Sequence, residues 1–182
     1  MTPAGTRICV DDVERAVLAE RRDPGGSWPW TRELIAQATT QLGESSWREI
    51  EIDGPAALGV LLPSHAGEPC RGDRLLLVPE TGATVQDAAA TLDRLKDEYA
   101  RLNPSCWGRL AAASGANFST LILVTAPLEA EAHRGLVQRP NTLYHLDGFH
   151  RLVGWARAGR LRPEVRIRAF VAGTVSWATV AK

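Results

Sequence analysis

The sequence predicts a mixed α/β or α+β domain in which a small mixed sheet is flanked by helices. Short apolar runs typical of buried strands alternate with longer segments whose apolar residues recur every three or four positions. Glycine and proline clusters separate these segments, and no internal repeat is evident. With 182 residues, 45% of them hydrophobic, the chain is long enough to bury a substantial core.

The first third of the chain predicts two amphipathic helices and one strand. The first helix covers residues 11–22 and stops before a Pro-Gly-Gly turn. The second helix covers residues 30–42, with Gly43 as its C-terminal cap. A strand follows at residues 47–53, and the apolar residues 57–63 fit a strand or a helix equally well.

We expect residues 1–70 to form an N-terminal helical elaboration that packs on a core of residues 71–182. The boundary is placed in residues 64–73, whose glycines and proline are typical of a connecting segment. Seventy residues are too few to assume an independent domain, so we expect one structural domain overall.

The core segment predicts a buried strand at residues 75–78, followed by the helix with the clearest apolar periodicity in the chain. This helix is predicted to run without interruption over residues 85–102, with Thr84 and Asp87 placed like a capping box. The remaining predicted elements are a short helix at 107–113, a strand at 121–125, a strand beginning at 143, a helix at 148–158 and a strand at 165–171.

Charge and cysteine content argue against several classes of function. The 21 basic and 21 acidic residues give a formal net charge of zero, so no global field attracts nucleic acid or an anionic membrane. The three cysteines form no Cys-x-x-Cys pair, and no local metal-binding motif is present. Without a membrane-length apolar stretch or a signal peptide, we expect a cytoplasmic protein and leave its oligomeric state open.

Residues 143–152, LYHLDGFHRL, contain the sharpest chemical signal in the sequence. A short apolar strand stops at Asp147 and Gly148, and a helix carrying His150 and Arg151 follows. A helix N-terminus offers unpaired N–H groups and a positive dipole end, and Gly148 permits close backbone approach, so the segment predicts an anion site. An ordinary capped helix with a solvated histidine and arginine is equally compatible with this local pattern.

This segment resembles the signature of the ParB/sulfiredoxin-like superfamily, and is closest to that of its free serine kinase-type members. There a strand runs into Asp-Gly-His-x-Arg, Gly-Glu-Arg-Arg or Gly-Cys-His-Arg, and the next helix opens onto nucleotide phosphates. Asp147, Gly148 and Arg151 match the kinase-type motif, whereas Phe149 replaces its first histidine and His150 occupies its variable position. The resemblance implies a ParB/sulfiredoxin-like core that binds ATP or ADP with Mg²⁺ through residues 148–151.

The departures from this signature narrow the activity that the resemblance implies. Phe149 stands where sulfiredoxin needs its cysteine, and only residues 152–182 follow the motif, which is too few for the helix-turn-helix of partition-type ParB proteins. We therefore expect a small-molecule kinase that transfers phosphate to a hydroxyl-bearing metabolite such as an amino acid. The alternative is a noncatalytic nucleotide- or phosphometabolite-binding regulatory module. A DNA-binding function in partition or transcription is disfavoured because the net charge is zero.

Phosphoryl transfer needs an anion cradle, charge neutralisation and a group that positions or deprotonates the acceptor. Asp147 is a candidate base and Mg²⁺ ligand, or a plain N-cap, and His150 is a candidate catalytic and phosphate-binding cation. The resemblance places a catalytic glutamate after the first core strand, at Glu80, for which a solvated turn is the alternative. Strand alternation puts His145 on the face of Asp147, as a group near the phosphate or as a satisfied, half-buried histidine.

Overall fold

A computed structural model describes residues 5–20, 28–65 and 77–175, which form one seven-stranded mixed sheet with helices on both faces. The strands are β1 Thr6–Arg7, β2 Arg48–Asp53, β3 Leu61–Leu62, β4 Ala83–Thr84, β5 Leu121–Val124, β6 Tyr144–Asp147 and β7 Arg166–Ala172. The helices within these ranges are α1 Val10–Glu20, α2 Trp28–Leu42, α3 Gly54–Leu58, α4 Val85–Arg94, α5 Lys96–Leu102, α6 Pro104–Gly115 and α7 Phe149–Arg157. The predicted mixed α/β class is confirmed.

The strand order β1-β2-β7-β5-β6-β3-β4 joins both halves of the chain in one sheet. The pairs β5/β7 and β3/β6 are parallel, and the other pairs are antiparallel. The N-terminal third therefore supplies three strands to the sheet besides the helices expected there. The predicted boundary at residues 64–73 lies mostly outside the described residues.

Strand β5 divides the apolar interior into two layers. Leu121 and Leu123 face a core formed with α4, α6 and α7, whereas Ile122 and Val124 face a second core formed with α1 and α2. A strand covered on both faces needs apolar side chains at every position, which explains its sequence Leu-Ile-Leu-Val. Strand β6 pairs antiparallel with β5, and helix α7 follows directly after its last residue.

The predicted helix over residues 85–102 is interrupted at Leu95, whose φ of −99° and ψ of 9° leave the helical region. The change of direction lets α4 pack on α7 while α5 packs on α6 and buries Tyr99 completely. The predicted cap is confirmed, because Oγ1 of Thr84 accepts a hydrogen bond from the Asp87 N–H at 3.1 Å.

Two short segments differ from the prediction or extend beyond the described residues. The ambiguous residues 57–63 divide into the end of α3 and strand β3. Of the strand expected at residues 75–78, only Leu77 and Val78 are described, and Val78 forms an isolated antiparallel bridge with His65. No helix in the described ranges is both long and apolar enough to cross a membrane.

Helices α6 and α7 approach closely at Gly154, and this contact gives a first testable prediction. A Cβ atom at Gly154 would lie 2.9 Å from the carbonyl oxygen of Leu110 and 3.1 Å from Cβ of Ala113. We expect Gly154→Ala to lower the free energy of unfolding by roughly 1–2 kcal/mol, because overpacking outweighs the better helix propensity of alanine. Urea denaturation followed by circular dichroism measures this change.

Gly108 provides the matched control, because it lies in α6 and a Cβ atom there meets nothing within 4 Å. Gly108→Ala is expected to stabilise the protein by roughly 0.5–1 kcal/mol through helix propensity alone. Equal effects of the two substitutions would contradict the close approach of α6 and α7.

Candidate functional site

A cavity of about 520 Å³ opens where strand β6 ends and helix α7 begins. This volume lies within the range of small-molecule sites. The residues that line it include motif residues 147–151, together with His65, Arg109 and His145. The predicted motif therefore forms one wall of a ligand-sized cavity.

Helix α7 begins at a residue that only glycine suits. Gly148 is the N-cap with φ +104° and ψ 17°, and a Cβ atom there would lie 3.0 Å from Cδ2 of Leu121 and 3.1 Å from Nη2 of Arg151. No side chain caps this end of the helix. The N–H groups of the first turn, which lack helical acceptors, thus lie beside the cavity.

The interpretation of Asp147 as the N-cap is wrong, because the helix starts one residue later than a capping aspartate requires. Asp147 is the last residue of β6, and its Oδ2 accepts a hydrogen bond from Nη2 of Arg151 at 3.2 Å. Nη1 of Arg151 also donates to Oγ of Ser119 at 2.5 Å. The carboxylate and the hydroxyl hold the guanidinium against the cavity wall, with 28% of the Arg151 side chain exposed.

Arg109 is a second cation of the cavity that the sequence analysis missed. It lies in α6 and lines the same cavity as motif residues 147–151. Its charge contributes to the lowered pKa values of His65 and His150. Nothing in its local sequence distinguishes it from other surface arginines, so only the tertiary structure identifies it.

Three side chains from distant segments converge beside the motif: His65, Cys106 and His150. Nε2 of His65 lies 3.4 Å from Sγ of Cys106, and Nε2 of His150 lies 3.3 Å from the same sulfur. Tyr99 Oη is a further neighbour of this sulfur, at 3.2 Å. The imidazole of His65 stacks on Phe149 with ring centroids 3.9 Å apart, which limits the orientations of the His65 ring.

His150 does not supply the cation that the motif suggested. Burial lowers the pKa of His150 to about 4, with a further contribution from the positive charge of Arg109 that outweighs the opposing effect of Asp147. Burial likewise lowers the pKa of His65 to about 4, aided by His150 and Arg109. Both rings are neutral near pH 7, so the cationic groups of this wall are the two arginines, Arg109 and Arg151.

His145 is buried at the cavity wall with 4% of its surface exposed, and neither ring nitrogen has a hydrogen-bond partner among the described residues. Burial lowers its pKa to about 3, against the opposing charge of Asp147. His133 shows the contrasting, satisfied arrangement: its Nδ1 accepts from the Leu128 N–H, and its Nε2 donates to the His145 carbonyl, both at 2.9 Å. His145 thus shares the cavity with Asp147 and is not a satisfied histidine.

Glu80 lies in an exposed turn and is not among the residues that line the cavity in the described part of the chain. A different carboxylate, Glu20 at the end of α1, lines it instead. Glu20 accepts hydrogen bonds from the N–H and the hydroxyl of Thr120 at 2.9 and 2.5 Å. The structure therefore brings Asp147, His145, His150 and Arg151 together and leaves Glu80 apart from them.

Comparison with protein-family models matches residues 28–181 to a family of unknown function, DUF6309. No curated protein and no solved structure shows significant similarity to the chain.

Proposed function

The chain therefore belongs to DUF6309, a family of unknown function, and from its cavity we propose that it is a nucleotide-binding small-molecule kinase with a ParB/sulfiredoxin-like core. One observation carries the proposal: two arginines and the uncapped start of α7 line a single ligand-sized cavity. An isolated helix start would be weak support. His145 lies buried in the same wall and finds no hydrogen-bond partner within residues 5–20, 28–65 and 77–175, which is an independent sign that a ligand completes this site.

The phosphates of the nucleotide would bind at the start of α7. The N–H groups of the first turn supply directed donors, and the guanidinium of Arg151 is held beside them by Asp147 and Ser119. Arg109, which also lines the cavity, adds positive charge from α6. ATP and ADP both present the phosphate chemistry that this arrangement recognises.

Mg²⁺ would be held mainly by the nucleotide phosphates, with Asp147 as the protein ligand, because protein-bound Mg²⁺ commonly uses one or two carboxylates together with phosphate oxygens. The ion would supply neutralisation of the phosphate charge. Asp147 suits this role because its side chain is 17% exposed at the cavity. Glu20 is the other carboxylate found in the wall.

In the transfer step, Asp147 would accept the proton of the acceptor hydroxyl. The hydroxyl oxygen forms the new bond to phosphorus, and the bond from phosphorus to the bridging oxygen of the nucleotide breaks. Arg151 stabilises the charge of the transferred group. The acceptor would be a small hydroxyl-bearing metabolite such as an amino acid, the substrate class that the superfamily resemblance implies.

The second candidate is a noncatalytic module that binds a nucleotide or a phosphorylated metabolite and regulates a partner. The ion pair between Asp147 and Arg151 favours it, because the guanidinium occupies a carboxylate oxygen that could otherwise face the acceptor hydroxyl. The position of Glu80 away from the cavity also favours it. Incubation with ATP or ADP, Mg²⁺ and a metabolite panel separates the two: a bound nucleotide that is never consumed identifies the module.

Removal of the Arg151 guanidinium is expected to weaken nucleotide binding by roughly 1.5–3 kcal/mol, the range for a charge-assisted hydrogen bond to phosphate. Isothermal titration calorimetry of Arg151→Ala with ATP and ADP measures this loss. Arg157→Ala is the matched control, because Arg157 lies in the same helix but pairs with Asp93 at 2.6 Å, outside the cavity lining. Equal nucleotide affinity of the two variants would remove Arg151 from the site.

A further inference from the structure

We propose that His65, Cys106 and His150 form a transition-metal site, best suited to Zn²⁺, with one coordination position open to the cavity. The proposal is independent of the kinase assignment, since it rests on a separate cluster of side chains. It also concerns residues that sequence spacing does not connect, because the three ligands come from the segment after β3, from α6 and from α7.

The separations of the three ligand atoms are close to those of a metal centre. All of them lie within 4.8 Å of one another, and both imidazole Nε2 atoms lie 3.3–3.4 Å from the sulfur. With Zn–N bonds of about 2.0–2.1 Å and a Zn–S bond of about 2.3 Å, tetrahedral geometry places nitrogen and sulfur about 3.6 Å apart. The nitrogen–sulfur distances would change by only a few tenths of an ångström on binding, whereas the two nitrogens, now within 4.8 Å of each other, would close to about 3.3 Å through side-chain rotation.

The sulfur of Cys106 has the neighbours that a metal-bound thiolate would have: His65 Nε2, His150 Nε2 and Tyr99 Oη. In the metal-free protein, one imidazole can donate its Nε2–H to the sulfur while the other accepts the S–H. A cation between the three atoms uses the lone pair of each ring and the charge of the thiolate, and Tyr99 then donates its hydroxyl hydrogen to the bound sulfur.

The protein holds the three ligands on rigid supports. His65 is fixed by backbone hydrogen bonds with Val78 and Leu77 at 3.2 and 3.0 Å, and by its stack on Phe149. Cys106 and His150 lie in the first turns of α6 and α7, which pack against each other. Ligand side chains that are already held in place favour metal binding, because little side-chain conformational entropy is lost when the ion binds.

The donor set selects the ion. One thiolate and two imidazoles are borderline-soft ligands that suit Zn²⁺ and Co²⁺, whereas Mg²⁺ prefers carboxylate and phosphate oxygens. Three protein ligands leave a fourth tetrahedral position, as in catalytic zinc sites. His65 and His150 line the cavity while Cys106 is buried behind them, so the fourth position faces the cavity.

The test uses the full chain, stripped with a chelator and titrated with Co²⁺ in the absence of nucleotide. We expect one equivalent to bind, with the intense visible bands of tetrahedral Co²⁺ and a near-ultraviolet thiolate charge-transfer band. Competition with Zn²⁺ then gives the zinc affinity. Cys106→Ser is expected to abolish the charge-transfer band and to weaken Zn²⁺ binding at least about 100-fold, beyond the effect of losing an outer partner.

Cys9→Ser is the matched control, because Cys9 is exposed and its sulfur contacts Asp12 instead. This variant is expected to bind Co²⁺ with the spectrum of the unsubstituted chain.

A second test uses His65→Gln, a substitution at a half-buried position, in case Cys106→Ser fails to fold. This variant should retain the thiolate band while its Zn²⁺ binding is weakened. Zinc binding that is equal in the unsubstituted chain and in a folded Cys106→Ser or His65→Gln variant overturns the proposal. Nucleotide binding without metal binding would overturn only the metal site and leave the kinase proposal standing.

Discussion

A chelator-treated sample is expected to lose most of its free energy of unfolding between pH 6.5 and pH 4. The pKa values of His65 and His150 are lowered to about 4 and that of His145 to about 3, mainly by burial. In this window the unfolded chain binds protons that the folded chain does not, so acid favours unfolding. Each of these histidines contributes at most about 1.4 kcal/mol per pH unit, and His133, whose pKa is also lowered by burial, adds to the loss.

The free energy of unfolding is highest above pH 6.5, the ordinary pKa of histidine. It falls as the pH decreases, until the pH reaches the pKa values of the folded protein near 4 and 3. Since whole domains have only about 5–15 kcal/mol of stability, the loss is large enough to unfold the protein. Urea denaturation at pH 7.5, 6.5, 5.5 and 4.5 measures it.

His145→Leu separates the contribution of one ring from the rest. Because neither nitrogen of His145 has a partner in the part of the chain that the structure describes, this variant is expected to be at least as stable as the unsubstituted protein at pH 7.5. Its loss of stability per pH unit should be smaller, since one of the four histidines with a lowered pKa is removed. Stability that stays constant from pH 6.5 to 4.5 in the unsubstituted protein would show that these histidines are not buried as neutral rings.

Asp147→Asn is expected to lower phosphoryl-transfer turnover at least about 100-fold, the scale of general base catalysis. Asparagine keeps the shape of the side chain and can still accept the hydrogen bond from Arg151, but it has neither the negative charge nor the basicity. Nucleotide affinity measured without Mg²⁺ should therefore change much less than turnover, because the role of Asp147 as a Mg²⁺ ligand does not enter that measurement. Steady-state kinetics combined with calorimetry separates the two effects.

Asp93→Asn is the matched control, because Asp93 also pairs with an arginine of α7 but is absent from the cavity lining. Its turnover is expected to equal that of the unsubstituted protein. Glu80→Gln should likewise be fully active, given the position of Glu80 in an exposed turn; a large loss there would restore the role that the superfamily resemblance implies. Full activity of Asp147→Asn would show that a group other than Asp147 acts as the general base.

Local features of this fold were predictable from the sequence because local interactions determine them. The capping of α4 by Thr84 depends on residues three apart, and the continuous apolar composition of β5 follows from burial on both faces. The break at Leu95 could not be predicted, since the apolar residues of α4 and α5 keep helical spacing across it. Its cause is tertiary, in the different helices on which α4 and α5 pack.

The candidate site was predictable only in the part that one segment contributes. The strand, Gly148 and the helix start form a local unit, and Asp147 and Arg151 are four residues apart in it. Arg109, His65 and Cys106 come from distant segments, so no spacing motif marks them. The neutrality of His150 was also beyond sequence reasoning, because it depends on burial and on the charge of Arg109.

The place of β7 in the sheet has a consequence for folding during synthesis. Strand β7 lies between β2 and β5, and Arg48 at the start of β2 pairs with Val171. At about 5–20 residues per second, a ribosome makes β7 roughly 6–25 s after β2. Until then one edge of β2 and one edge of β5 expose unpaired N–H and C=O groups, which can pair with other chains. Native sheet formation must wait for β7, so the nascent chain has a period in which a chaperone would protect it from aggregation.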